Sequence, residues 1–156
     1  MNTDQIDIWE SDFGKQYTDR NNFKSEIRLK SWSEMLPLEN IESVLEVGCN
    51  RGKNLECISK IKPDLKIFGV EPNDYAVNIC KKLKSVEVNK GTAFNLPFED
   101  SSVDLVFTAN VLIHIALEDL QKAMLEINRV SKKYILCIEY IDDNETNIHY
   151  RGHDNA

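Results

Sequence analysis

Five short apolar segments alternate with amphipathic ones along most of this chain. The apolar segments have the lengths and compositions of buried strands, and they are Ser43–Val47, Leu65–Val70, Val86–Val88, Val103–Thr108 and Tyr134–Tyr140. Helical periodicity marks four others, over residues 23–36, Lys53–Ile61, Tyr75–Leu83 and Leu117–Val130. This alternation predicts an α/β domain, with a parallel sheet covered by helices on both faces.

Composition adds limits to this picture. The 156 residues suffice for a single domain, which we divide into an N-terminal helical lid (1–37), a core (38–140) and a polar tail (141–156). The net charge of −7 argues against nucleic acid as a partner, since phosphate contacts need a basic surface. No apolar stretch is long enough to span a membrane, and the N-terminus does not resemble a signal peptide. The four cysteines form no C-x-x-C pair, so we expect no metal site and a reducing cytoplasm.

The segment from Glu46 to Gly52 carries the strongest chemical signal. An apolar strand runs into Glu46, then Gly48, Cys49, Asn50 and Gly52, and a helix follows at once. Glycines allow a tight turn, and the start of the following helix offers N–H groups to a ligand. The Gly-x-x-x-Gly spacing differs from the dinucleotide fingerprint. The segment therefore predicts a cradle for a nucleoside cofactor, although a simple tight connection has the same glycine pattern.

The pattern Glu46-x-Gly48-x-Asn50-x-Gly52 resembles the first motif of class I S-adenosylmethionine-dependent methyltransferases. That motif usually has a third glycine where this chain has Asn50, a residue that tolerates left-handed backbone angles. The resemblance implies a three-layer Rossmann-like fold with strand order 3-2-1-4-5. It also implies S-adenosylmethionine as cofactor and S-adenosylhomocysteine as product.

Further candidate positions lie where the predicted strands end. Glu71, followed by Pro72, ends the second strand, where an acid binds ribose hydroxyls in nucleotide-binding βαβ units. The loop with Thr92, Ala93 and Phe94 would lie against the adenine in the resembled family, with Thr92 in the place of a common acid. Asn110 follows the fourth strand. Phe94 has an alternative interpretation as a core residue.

Three aromatic residues near the N-terminus, Trp9, Phe13 and Tyr17, are spaced by four and share one face of a predicted helix. This face either packs on the core or lies across the cofactor mouth, and both can hold at once. In the second case Tyr17 and Arg20 would reach the amino-acid end of the cofactor, with Arg20 pairing with the carboxylate.

A narrower resemblance concerns the two ends of the chain. The segment Trp9–Asn21 and the stretch Tyr150–Asp154 are similar to parts of the pseudaminic acid biosynthesis-associated methylases, which act in bacterial surface-glycan pathways. Members of that family are longer and have two further strands. We therefore expect a C-terminally truncated chain with Tyr134–Tyr140 at an open sheet edge. Such an edge would lead either to a homodimer or to poor solubility and weak activity.

The resemblance implies methyl transfer to a small molecule or sugar. His114, near the predicted cofactor mouth, is a candidate base for the acceptor, with a structural histidine as the alternative. Displacement at a sulfonium carbon depends mainly on proximity and alignment, so no obligatory catalytic residue is expected. The competing hypothesis is a non-catalytic module that uses the same fold to bind the cofactor or a protein.

Overall fold

The structure is a computed structural model that describes residues 3–36 and 39–140. Its strands are β1 (Ser43–Val47), β2 (Lys66–Glu71), β3 (Glu87–Lys90), β4 (Val103–Ala109) and β5 (Ser131–Ile138). Its α-helices are α1 (Asp4–Glu10), α2 (Asp12–Arg20), α3 (Leu29–Met35), α4 (Lys53–Ile61), α5 (Asp74–Cys80) and α6 (Leu117–Val130). Short 3₁₀ helices cover Ser25–Arg28 and Leu112–His114.

The five strands form one sheet in the order β3-β2-β1-β4-β5, and every pair is parallel. The predicted α/β class and strand order are therefore confirmed. Because the order reverses between β1 and β4, the crevice at their carboxyl ends is the usual ligand position in such sheets.

Two apolar clusters cover the two faces of this sheet. Neighbouring residues of one strand alternate between them: Leu105 and Phe107 belong to one cluster, and Val106 to the other. Trp32 of α3 is 1% exposed and packs edge-on against Phe107, with ring centroids 4.8 Å apart. On the opposite face Ile127 of α6 is fully buried. Burial on both faces explains why the central strands β1 and β4 are nearly continuous apolar runs.

Several element boundaries differ from the sequence-based prediction. The N-terminal segment forms two helices, because Ser11 ends α1 and caps α2, its Oγ accepting from the N–H of Phe13 at 3.1 Å. The segment 23–36 begins as a 3₁₀ helix and becomes α-helical only at Leu29. Strand β5 starts directly after α6, at Ser131 rather than Tyr134.

Two sequence predictions lie outside the described residues. These are the boundary between the predicted lid (1–37) and core (38–140), and everything concerning the tail from residue 141 onward. None of the helices in the described ranges is long and apolar enough to cross a membrane. Within the same ranges, no cluster of three or more His, Cys, Asp or Glu side chains could hold a metal ion.

Candidate active site

A cavity opens at the carboxyl ends of β1, β2 and β4, and helices α1 and α2 form its far wall. Most of the residues predicted for cofactor binding or catalysis line it: Tyr17, Glu46, Gly48, Cys49, Asn50, Glu71, Pro72, Thr92, Ala93, Phe94, Asn110 and His114. The convergence follows from the parallel sheet, which brings the loops after its strands to one edge.

The turn after β1 needs left-handed backbone angles at three positions. Gly48, Asn50 and Gly52 have φ values of 73°, 49° and 76°. A Cβ on Gly48 would lie 2.5 Å from a methyl group of Val111, and a Cβ on Gly52 would lie 2.6 Å from the sulfur of Cys80. Gly52 is not part of the cavity wall, but its conformation and close packing place the start of α4.

The amides of this turn bond within the protein. The N–H groups of Gly48 and Cys49 both donate to the carbonyl of Val70, at 2.8 and 3.0 Å, and the N–H of Gly52 donates to the carbonyl of Cys49. The N–H of Asn50 donates to Glu71 Oε2 at 2.8 Å. The turn is therefore held in shape by its own hydrogen bonds rather than by a ligand.

Glu71 joins two loops at the end of β2. Its Oε1 accepts from the N–H of Asn73 at 3.0 Å, while its Oε2 accepts from the N–H of Asn50. The side chain is only 6% exposed. Burial raises the pKa of this carboxyl to about 7, and the two N–H donors oppose that rise. Glu71 can therefore change its charge near neutral pH, with part of its acceptor capacity still facing the cavity.

Glu46 is a second buried carboxyl in the cavity wall. Its Oε1 accepts from Asn54 Nδ2 at 2.6 Å, whereas its Oε2 has no hydrogen-bond partner among residues 3–36 and 39–140. Burial raises the pKa of Glu46 well above its ordinary value, and the bond from Asn54 opposes the rise. A buried acceptor without a donor is costly, so this oxygen favours a ligand that carries N–H or O–H groups.

The cations near Glu46 were not predicted from the sequence. Arg28 Nη1 donates to Asn54 Oδ1 at 2.8 Å, which links Arg28 through Asn54 to Glu46, and both Arg28 and Arg51 line the cavity. Arg20, the predicted carboxylate ligand, is exposed and outside the cavity wall, with its guanidinium 5.9 Å from the ring of Tyr17. The break at Ser11 and the 3₁₀ turn before α3 determine which arginine reaches the cavity, and neither had a clear sequence signal.

An aromatic cluster covers the opening of the cavity. The ring of Trp9 lies edge-on to Tyr17 and to His114, at centroid distances of 5.0 and 4.7 Å. Phe13 completes the predicted stripe, 5.3 Å from Trp9. Trp9 and Tyr17 line the cavity, whereas Phe13 does not, and the three rings pack on one another. A lid across the cofactor mouth stays a prediction.

The loop after β3, with Thr92, Ala93 and Phe94, is compact. Thr92 Oγ1 accepts from the N–H of Phe94 at 3.3 Å, so the threonine hydroxyl stabilises the turn of its own loop. Ala93 is buried, and Phe94 packs against the apolar cluster while also lining the cavity. Asn110, with a φ of 56°, donates its N–H to the carbonyl of Ile138 at 2.9 Å, which ties the β4 loop to β5.

The fold and the cavity together define a Rossmann-like protein of the class I methyltransferase type. A family described as a methyltransferase domain matches residues 45–137, and this chain belongs to that family. The matched region contains the turn, Glu71 and the loops after β3 and β4.

Individual relatives agree with this assignment. An uncharacterised methyltransferase of Schizosaccharomyces pombe is 33% identical over 116 residues, which are 65% of this chain and 41% of that protein. A demethylmenaquinone methyltransferase of Staphylococcus aureus is 26% identical over 149 residues, 88% of this chain and 61% of the relative. The chain thus spans less than two thirds of the length of these curated relatives.

Solved structures show the same fold. A SAM-dependent methyltransferase from Aquifex aeolicus superposes with a TM-score of 0.67 at 26% identity, over 84% of this chain and 77% of that one. A SAM-dependent methyltransferase from Thermotoga maritima, described as a possible histamine N-methyltransferase, gives 0.60 at 28% identity, over 83% and 59%.

Proposed function

We propose that this chain binds S-adenosylmethionine and transfers its methyl group to a small molecule, releasing S-adenosylhomocysteine. The observation that carries the proposal is Glu46 Oε2 in the cavity wall, next to the Arg28–Asn54 pair, because this buried oxygen has no hydrogen-bond partner in the described part of the chain. A zwitterionic amino-acid group presents an ammonium and a carboxylate side by side, and these two sets of groups complement it.

The rest of the cavity fits the remainder of the cofactor. Glu71 can accept ribose hydroxyls at the end of β2, and Ala93 and Phe94 offer an apolar wall for the adenine. The cofactor supplies a methyl group on a positively charged sulfur. The sequence suggested that Arg20 pairs with the carboxylate of the cofactor. In this proposal Arg28 makes that pair instead, since Arg28 lines the cavity and Arg20 does not.

Catalysis in this proposal relies mainly on alignment. Helices α1 and α2 with Trp9 and Tyr17 would exclude water and hold the acceptor against the methyl group. His114 is the candidate for removing a proton from an acceptor hydroxyl or amine, and its position in the cavity wall supports this role. His114→Asn should lower kcat while leaving the affinity for S-adenosylhomocysteine unchanged, and an unchanged kcat would assign His114 a structural role.

The acceptor class rests on sequence resemblance. We propose a sugar-type or other small acceptor, as in the pseudaminic acid-associated methylases, in a cytoplasmic pathway; the supporting residues are those of Trp9–Asn21. The net charge of −7 disfavours a nucleic-acid acceptor. The test is release of S-adenosylhomocysteine with nucleotide sugars compared with quinol and nucleic-acid acceptors, and turnover only with another class would contradict the sugar proposal.

We further propose that two copies associate along β5. This strand is at the edge of the sheet, and Tyr134 and Ile135 are 41% and 39% exposed. Unpaired edge strands favour pairing with another chain. Light scattering over a concentration series should show a dimer that Ile135→Lys dissociates, with Ile27→Lys as the control, since Ile27 is exposed in the 3₁₀ helix that contacts α4. A monomer at all concentrations would contradict the proposal.

The cofactor assignment is tested by calorimetry with S-adenosylmethionine, S-adenosylhomocysteine and NAD. Binding of NAD alone would overturn it. A sharper test compares S-adenosylhomocysteine with 5′-methylthioadenosine, which lacks the amino-acid group. Glu46→Gln should weaken the first ligand about 5- to 100-fold and leave the second nearly unchanged. Cofactor binding without turnover on any acceptor would favour the non-catalytic module.

A further inference from the structure

Asn50 stands where the methyltransferase motif usually has glycine, in a left-handed conformation with φ of 49°. Glycine adopts this conformation at lower cost than any residue with a side chain. Interactions of the Asn50 side-chain amide must therefore offset this conformational cost. Its Oδ1 accepts from the N–H of Arg51 at 2.7 Å, and its Nδ2 donates to Thr18 Oγ1 at 3.1 Å.

The direction of the bond to Thr18 follows from the geometry. Thr18 is fully buried in α2, and its hydroxyl donates its one hydrogen to the carbonyl of Gly14 at 2.9 Å. The hydroxyl oxygen can then only accept from Asn50. Arg51 adds a second bond, since its Nη1 donates to the carbonyl of Thr18 at 3.0 Å. Asn50 and Arg51 are consecutive residues of the turn after β1 (residues 48–52, called the cofactor turn below). Both thus bond to Thr18 of α2.

The loop after β2 binds the same pair of helices. Asn73 is 3% exposed, and its Nδ2 donates to the carbonyls of Trp9 and Ser11 at 2.8 and 3.3 Å. The N–H groups of Asn50 and Asn73 also share the two oxygens of Glu71. One carboxylate therefore joins both loops that hold the helix pair α1–α2.

We propose that Asn50 is a positioning residue that couples the cofactor turn to the helix pair α1–α2 through Thr18. Tyr17 immediately precedes Thr18, so the bond fixes the helix that carries one wall of the cavity. A ligand that binds better when the turn and α1–α2 are bonded together then strengthens the docking of these helices, and docked helices strengthen ligand binding by the same factor. This coupling to ligand rests on the proposed cofactor function, whereas the bond to Thr18 does not.

The helix pair can be tested first without ligand, by hydrogen exchange of the amides of Asp12–Arg20. Asn50→Gly removes the amide while keeping a residue suited to positive φ, and exchange in α2 should become about 3- to 10-fold faster. Asn40→Gly is the matched control, because Asn40 is exposed, has a φ of 73° and lies outside the cavity wall. Unchanged exchange in Asn50→Gly would overturn the proposal.

Variants of the partner make the test specific. Thr18→Val removes the acceptor oxygen at similar volume, together with the bond to the Gly14 carbonyl, and should speed exchange at least as much as Asn50→Gly. The double variant should add little to Thr18→Val. Thr18→Ser keeps the oxygen and should retain slow exchange. Fully additive effects of the two changes would show that they act separately and would also overturn the proposal.

The coupling itself is measured by comparing hydrogen exchange in α2 with and without S-adenosylhomocysteine. The ligand should slow exchange in α2 of the wild type, and this protection should shrink in Asn50→Gly but not in Asn40→Gly. If the wild type binds no S-adenosylhomocysteine, the proposed function and the coupling to it are both refuted. The ligand-free exchange data then still decide whether Asn50 holds α2.

Discussion

Glu71 provides the most direct test of the cofactor site, because one side chain joins two loops and titrates near neutral pH. The test replaces Glu71 with glutamine, which has nearly the same shape as the protonated acid. In the wild type both carboxylate oxygens accept backbone N–H groups, at 2.8 and 3.0 Å. The amide of the Glu71→Gln variant offers a single acceptor oxygen and cannot become charged, so the variant removes the negative charge together with one of the two backbone hydrogen bonds.

Burial raises the pKa of Glu71 from its ordinary value of 4.5 to about 7. The folded, ligand-free protein therefore holds this proton more tightly than the unfolded chain does. The resulting stability is fully present below pH 4.5 and is lost as the pH rises through 7, by about 3 kcal/mol at 1.4 kcal/mol per pH unit. Glu71→Gln should not show this loss.

Ligand binding should depend on pH in the opposite sense. Ribose hydroxyls that donate to Glu71 favour the carboxylate, so affinity should rise with pH, by at most about tenfold per unit, and level off above pH 7. At pH 8 the variant should lose about 1–3 kcal/mol of binding free energy, a factor of roughly 5 to 150.

Calorimetry with S-adenosylhomocysteine at pH 6, 7 and 8 measures these effects, and buffers of different ionisation enthalpy count the protons released. Glu87→Gln is the matched control, since Glu87 is exposed on the adjacent strand β3. Equal affinity of wild type and Glu71→Gln at pH 8, or equal pH dependence below pH 7, would show that Glu71 does not contact the ligand.

Three further substitutions test the turn, the core and the choice of arginine. Gly48→Ala forces a Cβ into a φ of 73° and against its neighbours, so thermal unfolding should show a loss of about 1–3 kcal/mol. Trp32→Ala should cost about 3–5 kcal/mol in urea denaturation because Trp32 is 1% exposed, whereas Met35→Ala, at 38% exposure, should cost less than about 1 kcal/mol. Arg28→Gln should weaken S-adenosylhomocysteine at least about fivefold in calorimetry and Arg20→Gln should not, and the reverse result would restore Arg20 as the carboxylate ligand.

The parts of the fold that follow from local pattern could be predicted from the sequence. Helices Lys53–Ile61 and Leu117–Val130 have the predicted limits, because glycine precedes the first and an apolar face runs the length of the second. The strand ends at Val47 and Glu71 could also be predicted, because each buried apolar run stops at a turn or a proline. Once the order of the parallel strands is given, the loops after them must share one edge.

Features that depend on the packing of distant segments could not be predicted. Arg20 ends α2 and Arg28 ends the 3₁₀ helix Ser25–Arg28, and only the packing of these helices against the rest of the domain decides which arginine lines the cavity. Strand β5 begins with Ser131 and two lysines. These polar residues gave no strand signal in the sequence, and only the pairing with β4 shows that they belong to the strand. The lysines suit this position because it is at the edge of the sheet, where their side chains reach water.

Two kinds of structural element line the cavity, namely the loops at the strand ends and the helices α1 and α2. This difference bears on how specificity could vary within the family. The strand-end loops with Gly48 and Glu71 are fixed by the sheet and by internal hydrogen bonds. The opposite wall, with Trp9 and Tyr17, belongs to helices that are held on the sheet largely by polar bonds from loop side chains, among them Asn50. Changes in these helices can therefore reshape this wall of the cavity without disturbing the turn after β1, as long as the bonds from the two loops remain.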